Sequence, residues 1–123
     1  MTFTIPYPRS KSGKSAFCKR FGFNAIYAGK HWSKRREDAE YLHNTVKAAL
    51  VEQGIRRKMF DKPVSITFYW DDRLDIDNHS YMGKLLVDGL KGYLLQDDDR
   101  RYVREVHHKY HDLGYILVEI ITL

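Results

Sequence analysis

The chain has 123 residues, 43% of them hydrophobic, and a formal charge of +5. This length matches one domain and the apolar share suffices for a core, so we expect a folded domain rather than a disordered chain. No apolar run approaches the roughly 20 residues that span a bilayer, and the amino-terminal residues do not resemble a secretory signal. A single cysteine, Cys18, cannot form an internal disulfide, so we expect a cytoplasmic protein.

The charges are distributed unevenly along the chain. Residues 1–36 contain nine basic side chains and no acidic one, whereas residues 71–99 contain eight aspartates and three basic residues. The other segments are close to neutral. This pattern excludes a uniformly basic protein of the histone type, and it predicts a basic half joined to an acidic core.

The amino-terminal third predicts a strand followed by a long loop. Residues 2–7 alternate loosely and predict a short strand that stops at Pro6 and Pro8. Residues 9–31 show neither a helical nor a strand period, so we predict a loop, and loops of this length are usually functional or disordered. Its aromatic residues favour a functional role: Phe17, Phe21, Phe23 and Tyr27.

A helix is predicted from Ser33, its N-cap, to a stop near Gly54, because apolar residues recur on one face. Its first turn contains Lys34, Arg35 and Arg36, where the helix dipole prefers acidic residues. These cations either serve an external anion or form a solvated face.

The second half of the chain predicts one more helix between strands. Residues 64–70 alternate strictly between apolar and polar side chains, which predicts a strand. A helix is predicted over residues 78–93, followed by strands over residues 102–110 and 115–123 with a hairpin-like turn at residues 112–114. This order predicts a small single α+β domain, residues 1–123, with two main helices.

One side of the second predicted helix is polar. At about 100° per residue, Asp77, Tyr81, Lys84 and Asp88 fall on one side. This stripe is either a solvated face with a Lys84–Asp88 pair or part of a functional site. The opposite side is apolar and predicted to be buried: Met82, Leu85, Leu86, Gly89, Leu90 and Tyr93.

The segment before this helix is rich in aspartate. Four aspartates fall within residues 71–77, and Asp75 and Asp77 point to the same side if the strand stays extended. Two converging carboxylates favour a bound cation, and Mg²⁺ takes oxygen ligands of this kind. One of the aspartates at 97–99 would complete the cluster if the chain turns back. An acidic surface patch or a calcium loop are alternatives, but the EF-hand pattern is absent.

Other motifs are weaker. Residues 13–15 (Gly-Lys-Ser) match the end of a P-loop, but its first glycine is missing. His107, His108 and His111 suggest zinc, although adjacent strand residues face opposite sides. His79 is more often structural or solvated than a ligand.

The motifs of residues 75–98 resemble those of one enzyme family. Asp75-Ile76-Asp77-Asn78, the run from Lys84 to Leu90 and the pair Asp97-Asp98 are similar to the RusA family of Holliday junction resolvases, from bacteria and their phages. The family pattern is D-x-D-N, a helix with a lysine and a D-[AG]-L step, and an acidic D-D. The resemblance spans most of the chain and implies an α+β fold with a mixed sheet, and a homodimer.

The resemblance also implies the site residues. Asp75, Asp77 and Asp98 would bind Mg²⁺, or Mn²⁺ in its place. Asp97 and Asp99 are alternatives to Asp98, because three consecutive aspartates leave the alignment with the family's D-D pair ambiguous. The chain has three more residues between Asn78 and Lys84 than the enteric form of the motif, which moves the lysine about 4.5 Å along the helix. The implied catalytic residues are Asp75, Asp77, Lys84 and Asp98, and the implied metal ligands are Asp75, Asp77 and Asp98.

The resemblance implies a Mg²⁺-dependent, structure-selective endodeoxyribonuclease that resolves four-way DNA junctions by paired symmetric nicks during recombination and repair. A non-catalytic protein that binds branched DNA, and a flap or fork nuclease of the same chemistry, are the alternatives. Loop aromatics would stack on bases near the branch point, and basic residues would contact phosphates. The candidate DNA contacts are Lys14, Lys19, Arg20, Lys30, Lys34, Arg35 and Arg36.

Overall fold

The computed structural model describes residues 1–123 as a four-stranded sheet with four α-helices, which confirms the predicted α+β class. None of the helices combines the length and the apolar character that a membrane crossing requires. The strands are β1 (Thr2–Pro6), β2 (Val64–Trp70), β3 (Val103–Tyr110) and β4 (Tyr115–Thr122). The helices are α1 (Lys11–Phe21), α2 (Phe23–Tyr27), α3 (Trp32–Glu52) and α4 (Ser80–Leu90), and a 3-10 helix over Ile76–His79 precedes α4.

The sheet is mixed, as expected, with the strand order β1-β4-β2-β3. Strand β4 runs antiparallel to both β1 and β2, whereas β2 and β3 are parallel. The predicted hairpin-like turn at residues 112–114 is wrong, because β3 and β4 lie on opposite sides of β2. The connection crosses the end of β2, where His111 N donates to Trp70 O (3.0 Å) and Gly114 N donates to the Asp71 carboxylate (2.7 Å).

The loop predicted over residues 9–31 is also wrong, since most of it folds into α1 and α2. Ser10 caps α1 by accepting a hydrogen bond from Gly13 N at 2.9 Å. Phe17 and Phe21, one turn apart, are the buried residues of α1, and their ring centroids lie 4.9 Å apart. Two buried side chains among Lys, Ser and Gly give too weak a helical period to detect in the sequence.

Strand β2 lies at the centre of the core. Its residues Val64, Ile66, Phe68 and Trp70 are fully buried, as their alternation predicted. The apolar side of α4 is buried as predicted as far as Leu90, where the helix ends, three residues before its predicted end. Helices α3 and α4 pack so closely that a Cβ on Gly89 would lie 3.3 Å from His43 Cα.

A buried carboxylate on α3 joins this helix to three other parts of the chain. Asp38 is only 2% exposed, and it accepts hydrogen bonds from Arg20 Nε in α1 (2.7 Å) and the Tyr81 hydroxyl in α4 (2.8 Å). It also pairs with the ammonium of Lys30, in the turn between α2 and α3. Burial disfavours the charge of Asp38, but the bonds from Lys30, Arg20 and Tyr81 outweigh it and lower the pKa of this carboxyl.

We expect Asp38→Asn to lower the free energy of unfolding by about 3 kcal/mol at pH 7, because it removes the charge that a largely buried Lys30 faces. The lowered pKa of Asp38 implies a stabilisation that is complete above 3.8, the ordinary carboxyl value, and is lost as pH falls through the lower folded-state value. Urea unfolding followed by circular dichroism between pH 2 and 7 measures both effects.

The matched control is Glu37→Gln, one residue away, because Glu37 is exposed and contacts Lys34 at 3.5 Å. It should change stability by less than about 0.5 kcal/mol. Equal losses in the two variants would contradict a special role for Asp38.

Candidate metal and nucleic-acid site

The aspartate-rich residues 71–77, called the acidic segment below, are anchored by one buried aspartate. The side chains of Asp72 and His79 are both fully buried, and His79 Nε2 lies 2.8 Å from Asp72 Oδ1. The Tyr7 hydroxyl donates to the other carboxylate oxygen at 2.8 Å. Burial opposes the charge of Asp72, but the bonds from His79 and Tyr7 outweigh it and lower the pKa of the carboxyl. His79 is therefore structural, one of the two roles expected for it.

Asp71 also has a structural role. Its carboxylate accepts the bond from Gly114 N, and its backbone N donates to the Tyr7 hydroxyl at 3.0 Å. Lys14 Nζ donates to its backbone oxygen at 2.5 Å. These contacts fix the point where the chain leaves β2.

Asp75 and Asp77, in contrast, are exposed and have no side-chain partner. Strand β2 ends at Trp70, so the two carboxylates are not on an extended strand as expected: Asp75 precedes the 3-10 helix and Asp77 lies within it. Burial and the negative charges of Asp72, Asp75 and Asp77 together raise the pKa of the Tyr110 phenol. The Tyr110 hydroxyl also donates to the backbone oxygen of Leu74.

Lys84 and Asp98 belong to a separate network of ion pairs. Lys84 Nζ lies 3.2 Å from Asp88 Oδ1 and 3.4 Å from Asp98 Oδ2, and Lys91 Nζ lies 3.1 Å from Asp98 Oδ1. Partial burial opposes the charge of Lys84, but its bonds to Asp88 and Asp98 raise its pKa. Burial likewise opposes the charge of Asp98, and the ammonium groups of Lys91 and Lys84 hold its pKa well below the usual range.

Among the three consecutive aspartates, only Asp98 contacts Lys84. Asp97 lies 3.8 Å from Lys91, and Asp99 binds the Arg101 guanidinium at 2.7 Å. Asp98 and Lys84 line a cavity of about 330 Å³ between α4 and β3, and Ser80 lines it as well. Ser80 is three residues after Asp77, but neither Asp75 nor Asp77 lines this cavity.

The exposed carboxylates would suit a magnesium ion that is held partly by the protein and partly by water and substrate. No three Asp, Glu, His or Cys side chains come together as a metal-binding group. Mg²⁺ in nucleotide-processing sites keeps several waters and is held by one or two carboxylates together with substrate phosphates. Asp75 and Asp77 suit this arrangement because their oxygens are free. Asp98 is held by two lysines, and its role as third ligand stays a prediction.

The histidines considered for zinc have separate partners. His107 Nε2 lies 3.2 Å from Glu105, and His108 Nδ1 accepts a bond from Trp70 Nε1 at 3.1 Å. His111, which directly follows β3, contacts the backbone oxygen of Tyr115 at the start of β4.

The predicted DNA contacts divide into engaged and free cations. Lys14 is held by Asp71, while Arg20 and Lys30 are held by Asp38. Lys34 forms only the weak contact with Glu37. The exposed cations without an ion-pair partner are Lys19, Arg35 and Arg36.

A cleft between α1 and the acidic segment adds two cations that the sequence did not indicate. It has a volume of about 510 Å³, and its lining includes Lys11, Lys14 and Lys19 from α1 and Arg73 from the facing segment. Lys11, Lys14, Ser15 and Cys18 recur at helical spacing along this wall. This signal was missed because the stretch was interpreted as a loop.

Asn78 has a role that the sequence did not reveal. Gly22 precedes α2 and has no side chain to cap it, but Asn78 Oδ1 accepts a hydrogen bond from Asn24 N at 2.8 Å. Asn78 therefore caps α2 from 54 positions further along the chain. This bond ties α2 to the segment that carries Asp75 and Asp77.

The chain matches no protein-family model and no curated protein. The resemblance to the RusA family therefore remains a resemblance of motifs, and it is most specific over residues 75–98.

We expect Asn78→Ala to free the amino-terminal end of α2, since no other side chain caps it. Hydrogen exchange at the Asn24 amide should become about 2- to 30-fold faster, as for a lost N-cap worth 0.5–2 kcal/mol. The Lys14 amide, bonded to Ser10 O in α1, is the internal control and should not change. Asn78→Asp keeps an acceptor and should keep the protection, whereas unchanged exchange in Asn78→Ala would contradict the cap.

Proposed function

We propose that this protein is a Mg²⁺-dependent, structure-selective endodeoxyribonuclease that resolves four-way DNA junctions by paired symmetric nicks. The observation that carries the proposal is the separation of the aspartates into two groups. Asp71 and Asp72 are used inside the fold, whereas Asp75 and Asp77 of the D-x-D-N motif are exposed and unpartnered. Two exposed carboxylates two positions apart in the chain, each without a partner, would suit a divalent cation.

Asp75 and Asp77 would hold the metal, with Asp98 as the proposed third ligand. When bound there, Mg²⁺ would supply an activated water and compensate the charge that develops on the scissile phosphate. Lys84 would position that phosphate or stabilise its charge, and its contacts with Asp88 and Asp98 keep it protonated and oriented.

The free cations would bind the DNA backbone. Lys11, Lys19 and Arg73 around the α1 cleft lie next to the acidic segment, and Arg35 and Arg36 extend from the start of α3. A four-way junction presents two symmetry-related strands, so a C2 homodimer would supply one site for each strand.

We expect Asp77→Asn to reduce cleavage of a labelled four-way junction in Mg²⁺ by at least about 100-fold, because it removes a metal-binding charge. Junction binding should persist in a mobility-shift assay, since phosphate contacts come from other residues. Asp61→Asn is the matched control: Asp61 is exposed, has no partner and lies outside the motif.

Three results would change the proposal. Full activity of Asp77→Asn would exclude a role for the carboxylate pair. Binding without cleavage by the parent protein, in both Mg²⁺ and Mn²⁺, would indicate a non-catalytic protein that binds branched DNA. Faster cleavage of flaps or forks in the same assay would indicate a nuclease for those structures.

A further inference from the structure

Exposed aromatic side chains are concentrated on α2 and at the start of α3. Tyr27 is 82% exposed, Trp32 60% and Phe23 38%, and the rings of Phe23 and Tyr27 lie 6.1 Å apart. Single exposed apolar residues are ordinary, but three large exposed aromatic residues within ten positions of the chain are a marked local concentration. The fold therefore leaves this aromatic surface, formed by Phe23, Tyr27 and Trp32, without a partner inside the chain.

The aromatic surface is held at both ends. Asn78 caps α2 at its amino-terminal end, directly after the exposed Asp77. Beyond Tyr27, the turn is held by Lys30, whose ammonium pairs with buried Asp38 and donates to Arg20 O at 2.8 Å. The surface thus has a defined position beside the proposed metal site.

Its surroundings favour a partner that is both flat and anionic. Lys34, Arg35 and Arg36 directly follow Trp32, and no acidic residue occurs in residues 1–36. Two copies of such a basic surface would repel each other, which disfavours self-association through it. Nucleobases on a phosphate backbone offer both the flat apolar face and the negative charge.

We propose that Tyr27 and Trp32 stack on the bases exposed at the branch point of the DNA substrate, next to the scissile strand. This inference rests on the proposed function, because it places the branch point of the junction against the aromatic surface. Phe23 supports the Tyr27 ring, and the cap from Asn78 keeps α2 in register with the D-x-D-N motif.

The two tryptophans of the chain allow a direct test. Trp32 is 60% exposed and Trp70 is fully buried, so stacking should affect only the emission of Trp32. In the Asp77→Asn background, adding a synthetic four-way junction should quench the tryptophan fluorescence. Trp32→Phe, which keeps only Trp70, should show no quenching at the same DNA saturation. Unchanged emission of Trp32 in a saturated complex would overturn the proposal.

Affinity measurements separate stacking from electrostatic binding. Tyr27→Ala and Trp32→Ala should each bind the junction about 5- to 150-fold more weakly, with little loss for a linear duplex. Their salt dependence should stay that of the parent, whereas Arg35→Gln should reduce the slope of log affinity against log salt by about 0.9. Two control variants should bind the junction like the parent protein. Tyr27→Phe keeps the aromatic ring, and Val51→Ala removes an exposed apolar side chain elsewhere on α3.

The outcomes distinguish this inference from the proposed function. Quenching of Trp32 without cleavage by the parent protein would retain the stacking surface and reject the nuclease. Cleavage without quenching, or equal losses on junction and duplex, would reject the stacking surface alone. Dissociation of a dimer by Tyr27→Ala in sedimentation experiments would show that a second copy occupies the surface, and would overturn the proposal.

Discussion

The buried contact between Asp72 and His79 determines the path of the segment on which the candidate site depends. A carboxylate without solvent exposure is costly unless hydrogen bonds replace its water, and His79 and Tyr7 provide them. With Asp72 directed inwards, the chain turns away from β2 and enters the 3-10 helix. Asp75 and Asp77 are left on the outside as a result. A structural aspartate thus creates the exposure that a metal-binding pair needs.

The sequence indicated that aspartates are concentrated here, but it did not separate their roles. The distinction comes from partners far along the chain: Tyr7 lies 65 positions before Asp72, and Gly114 lies 43 positions after Asp71. Local spacing contains no information about such partners. The resemblance to a family motif selected Asp75 and Asp77, and these are the two aspartates of the segment that the fold leaves free.

The same division between local and distant information explains the fold predictions. Strand β2 and the apolar side of α4 follow from periodicity, because each buries a continuous face on one core. Helix α1 buries only Phe17 and Phe21, so its period was too weak to detect in the sequence. The turn at residues 112–114 has hairpin-like residues, but the strand order is decided by the pairing of β2 with both β3 and β4, which no local pattern specifies.

The fold also determines how much of the net negative charge of residues 71–99 is left uncompensated at the surface. Of the three charges on Asp88, Asp97 and Asp98, two are offset locally by Lys84 and Lys91. The carboxylates of Asp71 and Asp72 accept hydrogen bonds from Gly114 N and the Tyr7 hydroxyl, and Asp99 pairs with Arg101. The repulsion that remains for an approaching phosphate backbone therefore comes mainly from the free carboxylates at 75 and 77. A divalent ion bound between them would cancel the charge of the two carboxylates and so remove this remaining barrier to a phosphate backbone at the site.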